Sequence, residues 1–275
     1  MMKKYKFTNE TKEVDGKILH RIIAERNLIN GFRDVRIGDL GGWIEKENNL
    51  SHRGLSWVYD NSCVYGNARI YDNAVITNDS KVYGNVKIKN DAYVSRSNIY
   101  GDAVIKDHAK VSLNCNVYGS SVISGNAHIN KNSIITGSSY IDNNVFINDN
   151  VYIRDSYLFG NMWIIGDTDI IDSNISANML YITSGCISNN EIFYMGNYDG
   201  DVYYSTICFY KTKSGDVFVS ENDDGYKGLL EKYPEYLNNK YLPCSDKKKF
   251  KMKTIEYVKE YFKLFEAERR LKDNG

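Results

Sequence analysis

The stretch SCVYGNARIYDNAVITNDSKVYGNVKIKNDAYV, residues 62–94, carries a branched aliphatic at Val64, Ile70, Ile76, Val82, Ile88 and Val94, one at every sixth position. Two residues ahead of most of them stands a small side chain: Ser62, Ala68, Ala74, Ser80, Ala92. Behind them come turn formers such as Gly66-Asn67, Asp72-Asn73 and Asn78-Asp79. Gly, Asn and Asp tolerate left-handed backbone angles and bond locally to the chain. Each hexad therefore reads as a short strand followed by a bend. Neither a helical period of 3.6 nor a plain strand period of 2 gives sixfold spacing.

The pattern extends in both directions. It starts at Val58, takes one five-residue step, and resumes at Ile99, Ile105, Val111, Val117, Ile123, Ile129, Ile135, Ile141, Ile147 and Ile153. Further short steps lead to Leu158, Ile164 and Ile170, then to Ile175. In the short rungs Ser97, Ser156 and Ser173 keep the small position, so the missing residue falls in a corner. Three rungs make a coil of eighteen residues, and stacked coils make a parallel β-solenoid. Tyr65, Tyr83, Tyr100 and Tyr118 recur at the coil length and should form a stacked ladder on one side. The abundant Asn fits the same picture, because like side chains stacked between coils can form hydrogen-bonded ladders.

The bulk numbers agree with a folded, intracellular chain. Its 275 residues include 23 Tyr, 21 Gly and only 2 Pro, with 42% hydrophobic and 25% charged. Lys plus Arg and Asp plus Glu both number 35, so the formal net charge is zero and a general nucleic-acid binder is not expected. The basic start MMKKYKFTNETK has no apolar stretch behind it, and no segment is apolar enough to span a bilayer. Five dispersed cysteines without a CxxC pair argue against a disulfide framework or zinc site. A cytoplasmic location and no membrane partner are the expectations.

An open solenoid needs caps. Residues 1–57 supply an N-terminal one, with strand-like Tyr5–Thr8 and Ile18–Ala24 and a tight approach at Gly41-Gly42. Residues 58–190 form the rungs, and 191–275 a C-terminal cap. There, Ile207–Tyr210 and Val217–Val219 read as a hairpin joined through Ser214-Gly215-Asp216, and Gly225–Tyr241 as a short helix with Leu229, Leu230, Tyr233 and Leu237 inward. From Asp246 onward, Phe250, Ile255, Val258, Phe262 and Phe265 lie near helical spacing, giving an amphipathic helix expected to pack on the solenoid end or side. Lys247-Lys248-Lys249, Lys251 and Lys253 read as a solvated first turn.

The hexad resembles the hexapeptide repeat of left-handed β-helices. Gly38-Asp39-Leu40-Gly41-Gly42-Trp43-Ile44, Asn49-Leu50-Ser51 and Trp57-Val58-Tyr59-Asp60-Asn61 are similar to bacterial and phage-encoded repeat proteins of the YdcK type, a likeness covering about residues 1 to 190. The left hand of the coil is implied by the resemblance. So is an alternative activity: many such proteins are acyltransferases that use a His as general base, with coenzyme A lying between subunits. Of His20, His52, His108 and His128, only His108 and His128 lie within the rungs, as weak catalytic candidates. Their spacing gives no shared metal site.

Against enzymatic chemistry stands regularity. No loop interrupts the rungs from Val58 to Ile175, whereas catalytic groups usually sit on loops held by a rigid scaffold. The late coils instead place aromatics at outward positions: Tyr140, Phe146, Tyr152, Tyr157, Phe159 and Trp163, with Ile165 and Ile171 nearby. Exposed apolar patches of this kind mark contacts, here cover by the chain's own C-terminal helix, a second copy or a foreign protein. The reading is a non-enzymatic rigid scaffold without a cofactor, binding a protein partner or a second copy as a homo-oligomer. The resemblance adds a phage or prophage accessory role, such as binding a host defence component.

Overall fold

The computed structural model describes residues 3–182, 185–188, 192–196, 206–211, 216–221, 225–243 and 245–273. The hexad aliphatics sort into three columns, one per face of a parallel β-solenoid. The first face stacks Val58, Ile76, Val94, Val111, Ile129, Ile147, Ile164 and Ile182 in register. The second stacks Val64, Val82, Ile99, Val117, Ile135, Ile153, Ile170 and Ile187. The third runs from Ile70 through Ile88, Ile105, Ile123, Ile141 and Leu158 to Ile175. All are fully buried, and Ala68, Ala74, Ala92, Ala103, Ala109 and Ala127 fill the tight corners beside them.

The corners follow the turn chemistry. Gly66, Gly84, Gly101, Gly119 and Gly137 all have positive φ and stack on one another, so backbone meets backbone where a Cβ would intrude. The first shortened coil shows where its residue is lost. In the long corner Asn78 and Asp79 both take positive φ, whereas the shortened one turns on Arg96 alone. Val94 and Ile99 on either side remain fully buried. Within the corners, Asn67 donates to Asn85 (3.1 Å) and Asn85 to Asp102 (2.8 Å). Asn126, Asn144 and Asn161 form a second ladder, at 3.1 and 2.6 Å.

At the N-terminus, β1 (Tyr5–Val14) and β2 (Lys17–Ala24) form an antiparallel hairpin. β3 (Leu40–Ile44) runs antiparallel to β2 and parallel to Cys63–Val64, so the cap continues the second face. A Cβ on Gly42 would lie 2.6 Å from the Ser62 carbonyl oxygen, which explains the glycine there. Tyr5, Ile22, Leu28, Val35 and Trp57 join the solenoid core and close its end.

The C-terminal cap is a four-stranded antiparallel sheet of Ile192–Gly196, Thr206–Lys211, Val217–Glu221 and Lys227–Leu229. The hairpin read from the sequence is its middle pair, and its connecting Ser214 and Gly215 lie outside the described residues. Thr206–Lys211 works on both sides. Cys208 and Tyr210 join the solenoid core, whereas Ile207 and Phe209 face a second core. That second core contains Tyr233 and Leu237 of α1 (Tyr233–Lys240) and Ile255, Val258 and Phe262 of α2 (Asp246–Asp273).

Three expectations are thereby corrected. Ile255, Val258 and Phe262 of the α2 stripe pack on the outer side of the cap sheet rather than on the solenoid, because alternation in Thr206–Lys211 interposes a layer; Phe250 is exposed, and the Phe265 side chain lies outside the described residues. The helix begins later than Gly225: Lys227–Leu229 is strand, and Pro234, at the first helical turn, marks the start of α1. Lys251 is not solvated. Only 2% exposed, it donates to Glu221 (2.8 Å), which also accepts from Tyr233, while Tyr241 lies 3.2 Å from the same ammonium.

Candidate functional site

From Tyr140 onward the third and first faces are joined in one ladder. Tyr140–Asn148 and Tyr157–Ile165 each pair continuously through the corner between them, where Asn143 (φ 66°) and Gly160 (φ 115°) bend the chain. Alternation then sends Tyr157, Phe159 and Trp163 to the same outer side, at 54%, 48% and 43% exposure. Gly160, at φ +115°, passes so close to the Ala177 carbonyl that no Cβ would fit.

One coil earlier, the Tyr140 ring lies 6.1 Å from Tyr157, and Phe146 is in register with Trp163. His128 lies next in that column, 6.3 Å from Phe146. The Asn144–Asn161 step runs between the two aromatic groups, and Asp142 stands beside Phe159 in register. Five of the six aromatics read from the sequence therefore lie on the two faces joined at this corner. Tyr152 does not: it lies on the second face between Ile134 and Asp169.

The tyrosine ladder is a different object. Rings of Tyr65, Tyr83, Tyr100 and Tyr118 stack at 5.0, 5.1 and 4.7 Å with planes within 8°. Tyr65 donates to Asp15 in the β1–β2 turn at 2.5 Å, tying the ladder to the cap. Ring faces are used up by one another, so the ladder presents edges to solvent. Burial raises the Tyr83 and Tyr100 phenols above their ordinary range.

The histidines do not converge. His20 stacks on Phe7 at 5.0 Å in the N-terminal cap. His108 sits in an exposed corner 3.5 Å from Asp91. His128 is half-buried on the first face; burial, with the Lys110 ammonium one coil away, holds its imidazole below the usual range. It therefore stays neutral at pH 7, but among the described residues no carboxylate or carbonyl orients it as a general base would require. Among the described residues no group of three His, Cys, Asp or Glu side chains gathers around a point that could hold a metal. No helix among them is long and apolar enough to cross a membrane.

No family model matches the chain. Over 72 residues it is 33% identical to an Escherichia coli (strain K12) protein named "Uncharacterized acetyltransferase YdcK". That segment is 24% of this chain and 22% of the relative, so the chain spans well under two thirds of the protein it matches. The likeness and the parallel coils agree in making this a hexapeptide-repeat β-helix protein.

Proposed function

We propose that the protein is a rigid, non-enzymatic binding scaffold whose contact surface is the aromatic row Tyr157, Phe159 and Trp163, extended by Tyr140 and Phe146. The observation that carries this reading is the exposure of three large rings along one continuous strand, held by an unbroken stack of coils. Tyr and Trp give large contact area at low entropic cost and are favoured at interface centres. A protein is the partner the chemistry fits, and the resemblance to phage-encoded repeat proteins extends it to a host protein. The test is quantitative capture by wild type against Tyr157→Ser/Phe159→Ser/Trp163→Ser. A partner lost in the triple variant with unchanged circular dichroism supports the surface; a partner retained in full removes it.

A second reading has one observation in its favour, the segment similar to a protein named as an acetyltransferase. It would transfer an acyl group from coenzyme A, with His108 or His128 as base. Calorimetric titration with acetyl-coenzyme A separates the two. The scaffold reading expects no saturable heat, and micromolar binding lost in His108→Ala or His128→Ala would replace it with the enzymatic one.

A further inference from the structure

The outward side of the third face changes character along the stack. One column runs Arg69, Lys87, Val104, Val122, Tyr140 and Tyr157 in register. Two residues further along each strand, a second column runs Lys89, Lys106, Ser124, Asp142 and Phe159, coil bonded to coil. The early coils are basic, the middle ones apolar and the late ones aromatic, and Asp142 is the one carboxylate in the two columns. Like charges side by side on neighbouring strands repel, yet Arg69 adjoins Lys87 and Lys89 adjoins Lys106. Among the described residues Arg69, Lys87 and Lys89 have no carboxylate within ion-pair distance, and Lys106 reaches only Asp107, at 3.9 Å. The coils also turn little on one another: successive rings of the tyrosine ladder on the second face keep their planes within 8°.

A two-fold axis along the strands, through Val122, makes this strip its own complement. Such an axis sets each column against itself and reverses the order of the coils. Val122 then meets Val122, and Val104 meets Tyr140. Lys106 meets Asp142, which otherwise accepts only from the Ser124 hydroxyl at 3.0 Å. Lys87 and Lys89 meet the exposed rings of Tyr157 and Phe159, the pairing in which a cation lies over an aromatic face. Each unlike pair occurs twice, as an isologous contact requires. Apolar coils sit at the centre and charges towards the rim, the usual anatomy of an interface. An axis one coil earlier would set Lys106 against itself, and one coil later Asp142 against itself.

We propose that two copies of the chain pair through their third faces in this antiparallel order, Lys106 of each against Asp142 of the other. The inference rests on the reading of Tyr157 and Phe159 as contact residues; Phe146 and Trp163, across the corner on the first face, lie outside the strip. Five coils make a small interface, so the dimer should dissociate at roughly 10–100 μM. Sedimentation velocity over a dilution series tests it. Lys106→Asp and Asp142→Lys should each weaken the dimer about tenfold or more, because the reversed charge meets its like twice. Lys106→Asp/Asp142→Lys should restore it to within about threefold, with circular dichroism unchanged throughout, and Lys89→Asp/Asp142→Lys should not. A chain still monomeric at about 500 μM, or a dimer that neither reversal weakens or that the double reversal fails to restore, overturns the proposal. A monomeric chain whose captured partner is lost in Tyr157→Ser/Phe159→Ser/Trp163→Ser removes the second copy and keeps the aromatic row. A monomeric chain that keeps that partner in the triple variant removes both.

Discussion

Replacing Gly119 by Ala separates the two reasons for a glycine corner. Gly119 has φ +72°, and a Cβ there would lie 2.5 Å from the Gly137 oxygen and 2.9 Å from its nitrogen in the next coil. Gly16, in the β1–β2 turn, has the same φ of +72° with nothing within 4 Å of a Cβ. Left-handed strain, about 1–2 kcal/mol for an L-residue, is therefore common to both. Only Gly119→Ala must also push two coils apart, stretching the 2.8 Å bond from Ser120 N–H to the Gly137 oxygen. Overpacking of that kind adds about 1–3 kcal/mol. Urea unfolding should place Gly119→Ala below Gly16→Ala by that margin at unchanged m-value. Equal destabilisation of the two variants would mean that the corners are not stacked as described.

Three further outcomes follow from particular side chains. Lys251→Met leaves Glu221 buried without its cation and should cost about 3–5 kcal/mol, confined to the C-terminal cap. Amide exchange should quicken in 206–211 and 216–221 while coil amides stay protected; uniform quickening would show that the cap is not an independent unit. Burial, reinforced by the Arg26 charge, lowers the Lys4 ammonium to about 7. Between pH 7 and the unfolded value of 10.5 the unfolded chain binds the extra proton, so stability rises with pH by at most about 5 kcal/mol and is flat below pH 7 from this group. Denaturation at pH 7 and 9 should show that rise in wild type and its loss in Lys4→Met; an identical slope in both would remove Lys4 as its source. Tyr100→Ala breaks two ring stacks and Tyr118→Ala one, so Tyr100→Ala should be the costlier by about 0.5–1.5 kcal/mol in urea. The reverse order would deny the ladder any energetic role.

The solenoid was legible because its signal is local and repeated. A buried aliphatic every sixth position, with a small residue two before it, forces the same inward geometry at each rung. The tyrosine ladder was legible for the same reason, since Tyr65, Tyr83, Tyr100 and Tyr118 differ by whole coils. What lay beyond reach depends on departures from the repeat. Nothing in the spacing shows that Tyr157–Ile165 pairs continuously through a corner, which joins the faces that carry Tyr157, Phe159 and Trp163, while Tyr152 lies apart on the second face. The two-sided use of Thr206–Lys211, which moves α2 off the solenoid, is an alternation too short to read. The capture of Lys251 by Glu221 likewise joins residues thirty positions apart and reads as solvated charge until the sheet is in place.

The central claim, an open aromatic contact surface, can be read from one residue. Of the three tryptophans, Trp43 and Trp57 are buried and Trp163 is 43% exposed. Acrylamide quenching across a range of protein concentrations therefore reports the row directly. The account predicts one readily quenched tryptophan, abolished by Trp163→Phe and protected when a partner binds. Trp163 protected at every dilution, with quenching unchanged by Trp163→Phe, would mean that the chain covers this surface itself and would contradict the account.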